Sequence, residues 1–233
     1  MNPLSAAAKS YRVVHSNRDF GTGRWQHGVS AQPGLSSRLQ CLVMVIRMNV
    51  VILHGIGGYA GIHWEQWLHD ELKKKSYKII MPDLPRAEQP SRKEWLKEVK
   101  RITENIDSTE LVIVAHSLGV TTALDFIEQS STPLRGLVSV AGFATDYGAE
   151  LNSYFLKEKS IDLAKVRANL TSAVVFYGDN DPYVSHDALK HLAEELGVDP
   201  YVVNSGGHLN TEAGYTEFPA VLEVVVGMKD FGR

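Results

Sequence analysis

From Met48 onward, short apolar runs rich in β-branched residues alternate with stretches of helical periodicity, and few architectures accept that order. The runs cover residues 50–53, 77–81, 111–115, 137–141, 173–177 and 201–203. Most are continuously apolar rather than alternating, as expected for strands covered on both faces. Between them lie helical patterns at residues 63–75, 91–105, 120–129, 185–196 and 216–228. In the first of these, Trp64, Trp67, Leu68 and Leu72 recur at helix spacing and read as core. Strands alternating with helices build parallel, right-handed βαβ units. The expected fold is therefore a three-layer α/β sandwich, about six mostly parallel strands between helices, with minimal or no cap domain. Ligands of such sheets gather beyond the carboxyl ends of the strands. One segment breaks the rhythm: residues 144–170 are longer than one helix needs. They are expected to form either a pair of packing helices or a short flap bordering the substrate site.

The third run decides where chemistry can sit. Residues 111–120 read LVIVAHSLGV, an apolar strand that stops at His116 and Ser117 and passes into a helical pattern. Strand, tight turn and helix with a serine at the apex is the layout of a nucleophile elbow. The turn strains the backbone and brings strand and helix so close that the residues two before and two after the serine must be small. Ala115 and Gly119 meet that need, with alanine where the common G-x-S-x-G pattern has glycine. A surface serine in an ordinary βα loop is the plain alternative, and the rest of the chain has to choose between them.

Composition narrows the class further. A chain of 233 residues, 44% hydrophobic and 22% charged, suits a single globular α/β domain. Its net charge of −3 exerts no general pull on nucleic acid or anionic membrane. No apolar run approaches the length that spans a bilayer. The single cysteine, Cys41, forbids an intrachain disulfide and suits a reducing compartment, so the expected location is cytoplasmic. The charge is uneven: residues 1–47 carry six basic side chains and one acid, and the remaining 18 basic and 26 acidic residues leave −8. That acid-poor first part could be an organelle transit peptide, but its glycines and prolines spoil an amphipathic helix. The preferred expectation is a disordered extension at 1–47, with residues 41–47 a candidate added strand, followed by the folded domain at 48–233.

If Ser117 is a nucleophile, it needs a base to take its proton and a third group to orient that base. Both follow in the order Ser, Asp, His, each just past a strand: GDNDPYV at residues 178–184 and NSGGHLN at 204–210. Of nine histidines, His208 is the best base, because Gly206 and Gly207 let its loop turn the imidazole back over the sheet edge. His186 and His191 read as solvated helix surface, His116 should be aimed elsewhere by the elbow, and His15, His27, His63 and His69 have no strand-end context. Asp179 and Asp181 compete for the third role. Asp181 is favoured because Pro182 fixes the chain direction and has no N–H to compete for the carboxylate, whereas Asp179 is better placed to shape the turn. The oxyanion donors are expected from the backbone N–H of Leu118 and, in the loop His54-Gly55-Ile56-Gly57-Gly58, from that of Ile56, with Gly57 the lesser candidate. His54, Gly57, Phe143, Tyr147 and Tyr154 are candidate substrate contacts. A metal site is not expected, since H-E-x-x-H and paired cysteines are both missing, and no cofactor is implied.

A rival comes from another class. Gly55-x-Gly57-x-x-Ala60 follows a strand and precedes a helix, as a dinucleotide-binding fingerprint does, and Asp83 stands where a ribose-binding acid belongs. That oxidoreductase leaves the elbow, the GDNDP turn and the GGH turn unexplained. A third alternative is a non-catalytic binding protein on a hydrolase scaffold.

With HGIGG, MPDLP, AHSLG, GDNDPY and GGH in one order, the chain resembles the small serine hydrolases typified by retinoblastoma-binding protein nine, an α/β-hydrolase group. The resemblance runs from about Met48 to the C-terminus, 186 residues, and includes the Trp64/Trp67 helix and VAGFATDYGAE. It implies an α/β-hydrolase fold with nucleophile, acid and base at Ser117, Asp181 and His208, in agreement with the choice from turn geometry. It also implies a small acyl substrate, with carboxylic esters first and amides or thioesters open. The L-x-C-x-E segment that docks on a tumour-suppressor pocket is missing: the nearest text, Leu39-Gln40-Cys41-Leu42-Val43, lacks the acid. That partner is not carried over, and oligomeric state is left open.

Overall fold

The computed structural model describes residues 48–228. The expected extension at 1–47, with its candidate strand at 41–47, lies outside the described residues. Six strands form one sheet: β1 (Asn49–Leu53), β2 (Lys78–Ile80), β3 (Leu111–His116), β4 (Gly136–Val140), β5 (Ala173–Gly178) and β6 (Tyr201–Val203), in the order β2-β1-β3-β4-β5-β6. Every neighbouring pair is parallel. The helices between them are α1 (Glu65–Lys74), α2 (Arg92–Thr103), α3 (Leu118–Glu128), α4 (Ser153–Lys157), α5 (Leu163–Ala168), α6 (His186–Leu196) and α7 (Pro219–Gly227).

The continuous apolarity of the strands is used on both faces. Val51, Leu53, Ile113, Ala115, Leu137 and Val175 pack into a core with Trp95 and Val99 of α2, Leu124 of α3, Val166 of α5 and Leu192 of α6. Val50, Ile52, Val112, Val114, Val138 and Phe176, one step along the same strands, pack with Trp64, Leu68 and Leu72 and with Val221 and Val225 of α7. Successive side chains point to opposite sides of a strand, so each run serves two cores.

Strand order reverses direction between β1 and β3: the chain steps outward from β1 to β2, then returns past β1 to β3. Loops leaving such a switch point diverge and open a crevice at the carboxyl edge. The β1–α1 loop and the β3–α3 turn flank that crevice.

The helix ends move from their expected places for local reasons. The first helix begins at Glu65 rather than 63, because His63 holds a left-handed φ of 59° that no helix accepts. The third begins at Leu118, directly on the serine. The last begins at Pro219, whose missing N–H suits a first helical position. Residues 144–170 combine both expectations. They contain two short helices, α4 and α5, and the loop before them turns toward the crevice. The segment is held down by Arg92, 3% exposed, whose Nε and Nη2 donate to the Asp125 carboxylate at 2.6 and 3.0 Å. Its Nη1 donates to the carbonyls of Phe155, Leu156 and Lys159 at 3.0, 3.2 and 2.6 Å. Lys159 pairs in turn with Glu128. No helix among the described residues is long and apolar enough to cross a membrane.

Candidate active site

Ser117 stands at the apex between β3 and α3 with φ 52° and ψ −126°. A non-glycine residue there costs about 1–3 kcal/mol and persists only where its surroundings fix it. They do: its N–H donates to the Val140 carbonyl of β4 at 2.9 Å. A Cβ on Gly119 would lie 2.5 Å from the His54 carbonyl oxygen, and one on Gly55 would lie 2.9 Å from the Ser117 Cβ. Strand, helix and β1 loop therefore close on the serine at distances that only glycine permits at those two positions.

Two loops bring partners to the hydroxyl. His208 Nε2 is 3.0 Å from Ser117 Oγ, and His208 Nδ1 is 2.7 Å from Asp181 Oδ2. The other Asp181 oxygen accepts from the N–H groups of Tyr183 and Val184 at 2.9 and 3.1 Å, which anchors the carboxylate beside the ring. Asp179 accepts from the Ser205 N–H and Asn180 Oδ1 from the Gly207 N–H, both at 2.7 Å. Asp179 thus ties the acid loop to the base loop, while Asp181 touches the imidazole.

The β1–α1 loop is fastened to the segment after β2 at three points. Asp83 Oδ1 accepts from Ala60 N–H at 2.7 Å, His54 Nε2 accepts from Leu84 N–H at 2.9 Å, and Gly57 N–H donates to the Ala87 carbonyl at 2.8 Å. Gly57 has therefore spent its donor. The N–H groups of Ile56 and Leu118 donate to no protein acceptor among the described residues. This loop does not lead straight into a helix as a dinucleotide fingerprint requires: α1 starts at Glu65, and Asp83 is occupied by the loop itself.

A cavity of about 390 Å³ opens in front of the serine, a size usual for small-molecule sites. Ile56, Ile62 and His63 line it from the β1 loop, Tyr147 and Leu151 from the 144–170 segment, and Tyr183 and Glu212 from the acid and base loops. Of the five expected substrate contacts, Tyr147 alone reaches it. His54 is buried with Nδ1–H donating to the Gly55 carbonyl at 2.8 Å, a brace for the loop. Gly57 turns toward Glu88. Phe143 is fully buried and meets Tyr147 edge-on at 5.0 Å, supporting the wall from behind. Tyr154 is 45% exposed on α4, away from the lining.

Three further histidines surround the site, and burial lowers the pKa of each, furthest for His116. That shift favours the neutral form of each at neutral pH, so none places a competing cation beside His208 there. His116 donates from Nε2 to the His208 backbone carbonyl at 2.9 Å, and Trp64 Nε1 donates to the Leu209 carbonyl at 2.9 Å. Together they fix the base loop from beneath. Sequence reasoning assigned no role to His116 or His63. The signal available for His116 is its place at a strand end, and for His63 there is none, since its partner Thr211 lies 148 residues away. Among the described residues no group of three or more His, Cys, Asp or Glu is arranged to hold a metal ion.

A parallel sheet with this switch point and a serine at the strand–helix apex after β3 defines an α/β-hydrolase. Loops at the ends of β5 and β6, which bring Asp181 and His208 to that serine, complete the pattern. Within that class the chain belongs to the serine hydrolase family, whose model matches residues 50–226. YdeN of Bacillus subtilis (strain 168) is 28% identical over 179 residues, 76% of this chain and 94% of YdeN. The crystal structure of that gene product superposes with a TM-score of 0.72 at 27% identity, covering 78% of this chain and 98% of the other. Est1E from Butyrivibrio proteoclasticus shares the fold at 12% identity and a TM-score of 0.60, over 78% and 88% of the two chains. The thioesterase domain of the curacin biosynthetic pathway does so at 15% and 0.56, over 77% and 91%.

Proposed function

We propose that this hydrolase cleaves small carboxylic esters, or closely related acyl substrates, through an acyl-enzyme on Ser117. The observation that carries the reading is the unbroken hydrogen-bond line from Asp181 through His208 to the hydroxyl of Ser117. With Nδ1–H donating to Asp181, Nε2 of a neutral His208 is left to accept the serine proton.

In the first half-reaction Ser117 Oγ attacks the carbonyl carbon as its proton passes to His208. Asp181 stabilises the imidazolium without taking its proton. The N–H groups of Ile56 and Leu118 hold the developing oxyanion, each contributing about 3 kcal/mol, and the dipole of α3 adds to the second. His208 then protonates the leaving alcohol as the tetrahedral centre collapses. Water, deprotonated by His208, repeats the sequence on the acyl-enzyme and frees the acid. These steps use only water and the chain's own residues. Acidification slows the reaction, because a protonated imidazole cannot accept from Ser117.

The cavity suits short acyl groups. Among the described residues its lining includes Glu150 and Glu212 and no lysine or arginine, so anionic substrates are disfavoured relative to neutral ones. The test is labelling by a fluorophosphonate, followed by a short panel of acyl and leaving groups. Wild type should be labelled and Ser117→Ala should not. Retention on a nicotinamide column without labelling would support the oxidoreductase instead, and neither result would leave a binding protein.

A further inference from the structure

His63 combines three features that the mechanism above does not use. It lines the cavity, its backbone is left-handed at φ 59°, and one nitrogen of its ring is anchored. Few non-glycine residues adopt that conformation, although histidine does so more readily than most, and such strain gathers at functional positions held by their surroundings. The anchor is Thr211, three residues beyond His208: its backbone N–H points at His63 Nδ1 at 3.2 Å and its hydroxyl lies 3.0 Å from the same nitrogen. An amide N–H aimed at Nδ1 makes that nitrogen an acceptor, so the proton of the neutral ring resides on Nε2. Among the described residues Nε2–H has no protein acceptor.

The position of the ring assigns it to one part of the substrate. The acyl carbonyl oxygen goes to the N–H groups of Ile56 and Leu118, and the leaving group must stand beside His208 to receive its proton. His63 is fastened to the chain segment that carries His208, and both rings face His116, at centroid distances of 5.3 and 4.9 Å. We propose that His63 is a specificity-determining residue. Its Nε2–H donates a hydrogen bond to an acceptor oxygen on the alcohol portion of the ester, selecting esters of hydroxylated or ether-bearing alcohols over those of plain hydrocarbon alcohols. An apolar leaving group would bury this donor without a partner, which is the usual origin of discrimination by a polar site. The inference rests on the serine-hydrolase reading.

The test compares methoxyethyl acetate with butyl acetate, which have alcohol portions of near-equal size and differ by one ether oxygen. Wild type should favour the ether by about tenfold in kcat/KM, chiefly through KM. His63→Gly, which relaxes the left-handed backbone while removing the donor, should bring the ratio close to one. His63→Phe, which keeps a ring and loses the N–H, should do the same. Absence of a preference in wild type, or an unchanged preference in either variant, overturns the assignment. Fluorophosphonate labelling of wild type separates the two levels: a labelled Ser117 with no ether preference removes only the His63 role, while an unlabelled Ser117 removes the mechanism and this inference together.

Discussion

Asp125 and Asp181 are carboxylates buried to nearly the same degree, their side chains 2% and 1% exposed, yet their surroundings differ in kind. Asp125 faces a guanidinium in a two-point contact and lies near Lys159, and the rest of that guanidinium is spent on three backbone carbonyls. The network ties Phe155, Leu156 and Lys159 to α2 and α3. Asp181 instead faces the imidazole of His208, and the line beyond it ends on a hydroxyl at a strained apex, 7% exposed at the cavity floor. Under the proposed mechanism that network is completed when a proton moves. The first arrangement converts burial into order; the second would accommodate charge that appears during reaction. A preorganised carboxylate need not reorganise when an imidazolium forms, so on that mechanism the second arrangement gains its value in the transition state rather than in the ground state.

Breaking each network should therefore give opposite signatures. The largest effect is on turnover: Asp181→Asn should lower kcat by about 10⁴-fold with little loss of folding stability, by analogy with triads in which the base loses its orienting acid. Asp179→Asn should retain most activity, since that carboxylate meets a backbone amide rather than the ring. Steady-state kinetics on both variants reads the contrast, and the reverse result would exchange the two acids. Next comes Arg92→Met, which strands Asp125 in the interior and should cost about 3–5 kcal/mol in urea unfolding. In the folded fraction, KM should rise more than kcat falls, because the segment bearing Tyr147 loses its anchor.

A smaller effect tests a third buried acid, Glu65. It is fully buried, neither oxygen makes a hydrogen bond of ordinary geometry, and burial drives its pKa well above the carboxylate range, against the opposing influence of the Gly61 backbone. The folded state then binds a proton that the unfolded chain releases, so stability falls as pH rises beyond the ordinary carboxyl range. Glu65→Gln should stabilise by on the order of 1 kcal/mol, more at mildly alkaline than at mildly acidic pH, as read from melting temperatures. The smallest change is expected from Lys190→Ala, which removes an exposed pair with Glu194 and should leave the melting temperature within error.

The sheet was legible because each strand is encoded locally, by a run of β-branched residues between turn formers. Ser117 was legible for the same reason, since strand, small residues and helix all lie within ten positions. Asp181 and His208 could be nominated because a parallel sheet brings strand ends together however far apart they lie in sequence. What escaped are contacts with no local pattern. Arg92 reaches Phe155 across 63 residues, and nothing in α2 marks its arginine as buried rather than solvated. The aromatic residues of 143–154 could be counted but not sorted, because wall, support and surface differ only in which way the loop turns. His63 was unreadable because its conformation belongs to the loop's closure over the crevice, not to its neighbours in the chain.

In the proposed mechanism the hydroxyl of Ser117 becomes covalently acylated with His208 as base. This acylation is tested most directly by mixing the protein with a small activated ester, quenching in acid, and mapping the acyl group by peptide mass spectrometry. The expected result is one acyl group per chain on the peptide containing Ser117, and none in Ser117→Ala or His208→Ala under the same conditions. Hydrolysis that proceeds at the wild-type rate in Ser117→Ala, or an acyl group found on another residue, would contradict it.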